Sequence, residues 1–150
     1  MQKMIVAVDG SAYSLTAARV AIDLARCYGL EEVCFVHVVS LKPGQLGTKE
    51  YPERPDLPHM WPVFQEPLAM AREAGVAART EVLFGNAAET LVHHVRKEAA
   101  DLLIVGSLGE SGVKEFLLGS VAARLITHAP CSVLVVRPGF RLSCPLERPG

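Results

Sequence analysis

The sequence predicts an α/β fold in which helices cover both faces of a parallel sheet. Five short apolar segments alternate with four segments of helical periodicity along the 150 residues. All but one of the apolar segments are continuous, which is typical of strands buried on both faces. Strands that alternate with helices in this way form a three-layer structure of helix, sheet and helix.

The predicted strands are short and are separated by turn residues. They cover residues 4–8, 33–39, 78–84, 102–105 and 133–136. The third strand alternates in polarity, with Arg79 and Glu81 on one face. Charged side chains of this kind suit a strand at the edge of the sheet.

Capping residues mark three of the predicted helices. Ser11, or Asp9 just before it, caps a helix that continues to about residue 28, where Gly29 ends it. Asn86 begins a capping-box-like start for the helix after the third strand. Ser120 is predicted as the N-cap of the last helix, which continues to about residue 128.

Two segments are predicted to lack regular structure. Residues 40–62 contain five prolines and no apolar period, which indicates a long surface loop, and residues 138–150 are predicted to form a loose tail. Pro67 is tolerated only in a first helical turn, so the helix after the loop begins near Glu66 or is kinked there. We expect one domain over residues 1–150, with a core at about 3–137.

The composition restricts the partners and the compartment of the protein. The 15 Lys and Arg residues are balanced by 16 Asp and Glu residues, so the broad basic surface that nucleic-acid binding requires is not expected. The first segment lacks the features of a signal peptide, and no stretch approaches the ~20 apolar residues of a membrane helix. The four scattered cysteines contain no C-x-x-C pair and are expected to be structural, three of them inside helices or strands. A cytoplasmic protein is therefore expected.

A glycine-rich segment joins the fourth strand to the last helix. Gly106 and Gly109 follow the strand, and Gly119 and Ser120 precede the helix. Glycines let the backbone pass close to a ligand, and a helix start offers unpaired N–H groups and a positive dipole end to a phosphate. Glycines that only make turns are the alternative interpretation. The lysine of the G-x-x-x-x-G-K-[ST] loop is absent.

The spacing of these glycines resembles that of a known family. Gly106, two residues, Gly109, nine residues and then Gly119-Ser120 is similar to the nucleotide-binding pattern of ATP-binding universal stress proteins. Residues 5–11 (IVAVDGS), 36–38 (VHV) and 128–137 (HAPCSVLVVR) resemble the same family, so the resemblance covers about residues 3–137. It implies a Rossmann-like, five-stranded sheet of order 3-2-1-4-5 and a homodimer.

The resemblance also implies an ATP site. The end of the first strand would face adenine and ribose, Val38 would lie beside the base, Gly106 would approach the ribose, and backbone N–H groups would hold the phosphates. The residues implied are Ala7, Val8, Asp9, Val38, Val105, Gly106, Gly109, Gly119, Ser120 and Val121. Positive charge is thin here, since Lys114 is opposed by Glu110 and Glu115, so Mg²⁺ or Mn²⁺ bound through the phosphates is expected.

Other side chains have a plain interpretation beside a functional one. His93 and His94 are about 100° apart on a helix, so they are predicted to be exposed and not to converge on a metal, and no protein ligands for a metal are expected. His37 either reaches the site or, more simply, is a satisfied core histidine. Trp61 either packs over the crevice or anchors the loop.

Two functions are compatible with these residues. In the first, ATP occupancy of a regulatory protein sets its conformation or its partner, with slow or no hydrolysis. In the second, the protein is an enzyme of ATP hydrolysis or nucleotidyl transfer, with Asp9 as the only candidate base. A dimerisation module without nucleotide is a third possibility, against which the intact loop argues.

A homodimer through the last strand is indicated by its residues 133–136. They are apolar on both faces, although the strand order of the family places this strand at an edge of the sheet. An open apolar edge with free N–H and C=O groups favours pairing with a second copy across a two-fold axis.

Overall fold

The computed structural model describes residues 1–40, 56–108 and 118–144. The helices are α1 (Ala12–Tyr28), α2 (Pro62–Glu73), α3 (Ala87–Lys97) and α4 (Ser120–His128), with a short 3₁₀ turn at Pro58–Met60. The strands are β1 (Met4–Ala7), β2 (Glu32–Val39), β3 (Ala77–Phe84), β4 (Leu102–Gly106) and β5 (Ser132–Val136). These five strands form one parallel sheet of order β3-β2-β1-β4-β5, which confirms the predicted fold class.

The two faces of the sheet carry separate cores because successive side chains of a strand point to opposite faces. Val6 and Phe35 lie on the face that α1 and α2 cover, where Phe64 of α2 is fully buried. Ile5 and Val36 lie on the other face, which α3 and α4 cover. Apolar side chains on both faces explain the continuous apolar strands of the sequence.

The caps of α1 and α3 are those that the sequence predicts. The backbone N–H of Ser14 donates to Ser11 Oγ at 3.2 Å, and Gly29 ends α1 in a left-handed conformation with φ 64°. The backbone N–H of Glu89 donates to Asn86 Oδ1 at 3.1 Å. Each bond satisfies one of the N–H groups that a helix start leaves without an intrahelical acceptor.

Helix α2 begins earlier than the sequence indicates. It starts at Pro62, and Pro67 lies inside it rather than in its first turn. Phe64, Pro67 and Ala71 form its buried face, and this packing outweighs the hydrogen bond that Pro67 lacks. The predicted loop over 40–62 is therefore shorter at its end, and its residues 41–55 lie outside the described residues.

The cysteines follow the prediction only in part. Cys34 is buried in β2, and burial raises the pKa of its thiol to about 12, so it is a neutral core residue. Cys27 and Cys144 are instead joined by a disulfide, with their Cα atoms 5.4 Å apart. Leu142 also packs against the core of the α1 face. Within the predicted tail, Leu142 and Cys144 thus contact the fold, while residues 138–141 are exposed and 145–150 lie outside the described residues.

None of the helices in the three described ranges has both the length and the apolar character needed to span a membrane.

Candidate functional site

The ends of β1 and β4 and the start of α4 lie together at the carboxyl edge of the sheet. Strands β1 and β4 are neighbours, with Val6 beside Ile104. The backbone N–H of Gly119 donates to the carbonyl of Ser107 at 2.7 Å, which places the start of α4 against the residue that follows β4. In open parallel sheets, ligands bind at this edge, beyond the strand ends where strand order reverses.

The turn after β1 holds Asp9 in one orientation. The backbone N–H of Ser11 donates to Asp9 Oδ1 at 2.9 Å, and the backbone N–H of Asp9 donates to Ser14 Oγ at 3.2 Å. Gly10 between them has φ 87°, a conformation that favours glycine. The Asp9 carboxylate is half-buried. It is therefore a fixed acceptor at the rim of the edge.

Gly106 is required by the packing of α1 against β4. A Cβ atom at this position would lie 2.8 Å from both the carbonyl carbon and the carbonyl oxygen of Tyr13, and 2.9 Å from Tyr13 Cβ. Two of these atoms belong to the backbone of the first turn of α1, which cannot move independently of the helix. The absence of a side chain at Gly106 thus brings the start of α1, and with it the Asp9 turn, next to the end of β4.

The start of α4 presents backbone N–H groups. Gly119, not Ser120, is its N-cap, with φ −62° and ψ 153°, and no side chain caps the helix. The predicted N-cap is wrong by one residue because the Gly119 carbonyl already accepts the first helical bond, from the N–H of Ala123. Helix geometry leaves the N–H groups of residues 120–122 without intrahelical acceptors. Ser120 and Val121 are exposed, so this helix start is accessible to an anion.

His37 and Trp61 take the plainer of their two interpretations. His37 Nδ1 lies at hydrogen-bond distance, 2.8 Å, from the carbonyl of Val8, and the ring is half-buried. Trp61 is only 1% exposed and packs in the core of the α1 face, so it anchors the start of α2. The two rings are in an edge contact, with centroids 6.3 Å apart. His37 therefore connects this core to the end of β1.

The structure brings some of the predicted site residues together and uses others mainly for packing. Asp9, Gly106 and the 119–121 segment meet at the carboxyl edge. The remaining described residues, Ala7, Val8, Val38 and Val105, are buried or half-buried and pack in the two cores near the strand ends. Gly109 lies outside the described residues, as do the charged residues Glu110, Lys114 and Glu115.

Two residues of this region had no role in the sequence interpretation. Tyr13 supplies the backbone against which Gly106 packs. Ser107 is fully buried, and its Oγ atom has no hydrogen-bond partner in the part of the chain that the structure describes. Gly106 was the sequence signal for this contact, because a glycine in a strand can indicate the close approach of another backbone.

Comparisons with known proteins agree with this architecture. The profile of the Universal stress protein family matches residues 1–137. A universal stress protein of Methanocaldococcus jannaschii is 36% identical over 140 residues, which cover 91% of this chain and 82% of that protein. A universal stress protein of Bacillus subtilis is 34% identical over 146 residues, covering 90% of this chain and 98% of that protein.

Solved structures show the same similarity in three dimensions. The crystal structure of a universal stress protein in complex with cAMP aligns with a TM-score of 0.67 and 26% sequence identity. The alignment covers 91% of this chain and 96% of that chain.

The packing of Gly106 predicts a stability effect that is independent of any ligand. Gly106→Ala places a Cβ against the Tyr13 backbone, and overpacking of this kind lowers the free energy of unfolding by about 1–3 kcal/mol. The matched control is Gly119→Ala, since the extended backbone of Gly119 accepts alanine, and its cost is under about 1 kcal/mol. Urea denaturation of the two variants measures both changes. Equal stability of the Gly106→Ala variant and the wild type would contradict this packing.

Proposed function

The chain belongs to the universal stress protein family, and from that premise we propose that it binds ATP at the carboxyl edge of its sheet. The observation that carries the proposal is the position of the α4 start, which the Gly119–Ser107 bond holds beside the end of β4. A relative that is 26% identical is solved in complex with an adenine nucleotide, cAMP, which supports the same ligand class here.

The proposed phosphate contacts are made by backbone groups. The N–H groups at 120–122, which have no acceptor within α4, and the positive end of the α4 dipole suit the charge of a phosphate chain. Gly119, Ser120 and Val121 contribute here, and Gly109 completes the proposed phosphate site. The Ser120 hydroxyl is not used to cap α4, so it is available to the ligand.

The nucleoside end of ATP is proposed to lie toward β1 and β2. The fixed Asp9 carboxylate suits a ribose hydroxyl, which donates a hydrogen bond to it. Ala7, Val8 and Val38 lie beside the base, and Gly106, with Val105 before it, lies below the ribose. The packing against Tyr13 already requires a glycine at position 106. The absence of a side chain there would also let the ribose approach the backbone.

A divalent ion is proposed to accompany the triphosphate. The described contacts of this edge are made by backbone N–H groups, hydroxyl groups and the Asp9 carboxylate. Mg²⁺ or Mn²⁺, coordinated mainly by phosphate oxygens and water, would then reduce the charge of the ligand.

We favour a regulatory role in the stress response over an enzymatic one. A catalytic base must reach an attacking water, whereas Asp9 Oδ1 accepts the N–H of Ser11 and stabilises the turn. The residue is thus suited to binding, and slow or no hydrolysis is the expected behaviour. The proposed compartment is the cytoplasm, on the sequence features alone; the Cys27–Cys144 disulfide does not support it, because cytosolic thiols are normally kept reduced.

The test of ATP binding is isothermal calorimetry on variants of the α4 start. Gly119→Val places a branched side chain where a phosphate approaches and abolishes ATP binding. Ser120→Ala removes one hydrogen bond to a charged group and weakens binding by roughly 1 kcal/mol. Replacing Mg²⁺ by a chelator also weakens binding, because the triphosphate charge is no longer compensated.

The control is Thr127→Ala, at the far end of the same helix, where the Thr127 hydroxyl donates only to the carbonyl of Ala123. This variant keeps the wild-type affinity for ATP. A Gly119→Val protein that is folded by circular dichroism and binds ATP as tightly as the wild type means that the site lies elsewhere.

We also propose a homodimer through β5. This strand pairs with β4 alone among the described strands, so its other edge is open. The Val136 carbonyl accepts from the N–H of Ser107 on the β4 side. Because the N–H and C=O groups of a strand alternate in direction, those of Val133 and Val135 point to the open edge. Exposed Phe140 and Ile126 add apolar surface in the segments that flank β5.

The dimer is tested by sedimentation at tens of micromolar. Val135→Lys introduces a charge at the open edge and yields monomers, as charged residues do on natural edge strands. Ala77→Lys, at the exposed start of the opposite edge strand, is the control and keeps the dimer. Wild-type protein that sediments as a monomer at these concentrations would overturn the proposal.

A further inference from the structure

A cluster of charged and polar side chains lies under α3, away from the carboxyl edge of the sheet. It consists of Glu81 on β3 and His94 and Glu98 at the end of α3, and we call it the α3 cluster. Helix α3 runs opposite to the strands, so its last turn lies near their amino ends. Lys3, which precedes β1, contacts Glu98 there with its Nζ atom 2.7 Å from Glu98 Oε2.

The burial of His94 corrects its predicted exposure. His94 is only 6% exposed, whereas its neighbour His93 is exposed as predicted. His94 follows Leu91 by three residues and precedes Glu98 by four, so all three share one face of the helix. This face lies against the sheet, where Glu81 of β3 points toward the same helix.

The donor atoms of the α3 cluster converge. One ligand atom each of Glu81, His94 and Glu98 lies within 4.8 Å of the other two, and His94 Nε2 is 2.7 Å from Glu81 Oε2. Both of these atoms are buried, and neither has a hydrogen-bond partner among the described residues. Their contact is therefore close without the angles of a hydrogen bond. A buried imidazole nitrogen without a hydrogen bond is left beside the Glu81 carboxylate, in a group whose third ligand is Glu98.

The surrounding charges leave the α3 cluster short of positive charge. Glu81 and Glu98 are joined by Glu32, which contacts Arg79 with an oxygen 3.6 Å from Arg79 Nε. Arg79 also contacts Glu81 at 3.5 Å. Three carboxylates thus face two Lys or Arg side chains, Arg79 and Lys3, so one carboxylate has no Lys or Arg counterpart within this group.

We propose that Glu81, His94 and Glu98 form a binding site for a divalent transition-metal ion, Zn²⁺ being the best fit. One imidazole and two carboxylates are a ligand set that zinc accepts, with water in the fourth position. Ligands at about 2.0 Å around a tetrahedral ion are about 3.3 Å apart. The present donor atoms, all within 4.8 Å of one another, bracket that spacing. The site is separate from the proposed ATP site and does not depend on it.

The expected consequence of zinc binding is a link between α3 and β3. Two ligands come from the helix and one from the edge strand that the helix covers. An ion that binds only the folded chain raises the free energy of unfolding. Above the dissociation constant, this increase grows with the logarithm of the ion concentration. Zinc therefore raises the unfolding temperature without any nucleotide present.

The test is a titration of chelator-treated, nucleotide-free protein with Zn²⁺ against a chromophoric zinc indicator. Glu98→Gln keeps the shape of a side chain at the protein surface but removes a ligand charge, and weakens binding by more than about tenfold. His94→Gln removes the imidazole ligand and also weakens zinc binding by more than about tenfold. The matched control is His93→Gln, one residue away on the exposed side of α3, which leaves the affinity unchanged.

A fourth variant makes the opposite prediction. Lys3→Gln removes the cation that competes for Glu98, and raises zinc affinity about fivefold. Unfolding temperatures with and without Zn²⁺ show whether each variant is folded: zinc raises the value for the wild type and not for folded Glu98→Gln protein. The proposal is wrong if wild-type protein does not bind Zn²⁺. It is equally wrong if His93→Gln weakens binding as much as Glu98→Gln, because exposed side chains then bind the ion, and the α3 cluster is an ion-pair network only.

Discussion

The close approach of α1 to β4 at Gly106 is the constraint on which the arrangement of this protein depends. The Tyr13 backbone occupies the space that any side chain at residue 106 would fill. The first turn of α1 is consequently held at the end of β4, and the Asp9 turn that precedes it lies at the same edge. Backbone packing therefore positions this edge of the sheet without a bound ligand.

Recognition at this edge is proposed to rest on backbone groups more than on charged side chains. The bond from the Gly119 N–H to the Ser107 carbonyl positions α4, whose first N–H groups have no acceptor within the helix. In this proposal, phosphate binding depends on backbone geometry and the helix dipole, and a metal ion compensates the remaining charge. We favour a regulatory protein over an enzyme for this site, because its few proposed contacts form only when ATP is bound. An enzyme also needs a base positioned for reaction.

Much of the fold was predictable because it depends on local patterns. Every described strand begins and ends within one residue of its predicted bounds, since continuous apolar segments and capping residues are local signals. The strand order came only from the resemblance of the sequence to a known family. Features set by distant partners were missed: Cys27 pairs with a residue 117 positions away, and the burial of His94 depends on Glu81 of another element. Of the two alternatives for α2, the start near Glu66 is wrong, because the packing of Pro67 inside the helix outweighs its usual position in a first turn. At the candidate site, the sequence directed attention to Gly106 and Gly119, but the N-cap of α4 and the packing of Tyr13 against Gly106 required coordinates.

The most direct test of the account is an ATP titration of ¹⁵N-labelled protein in the presence of Mg²⁺, followed by amide NMR. The account predicts that the amide signals of Gly10, Ser11, Gly106, Ser120 and Val121 shift together and saturate with one dissociation constant. The signals of the last turn of α3, around His94, stay unchanged because they lie away from the carboxyl edge. An absence of shifts at millimolar ATP, or shifts confined to elements other than the ends of β1 and β4 and the start of α4, would contradict it.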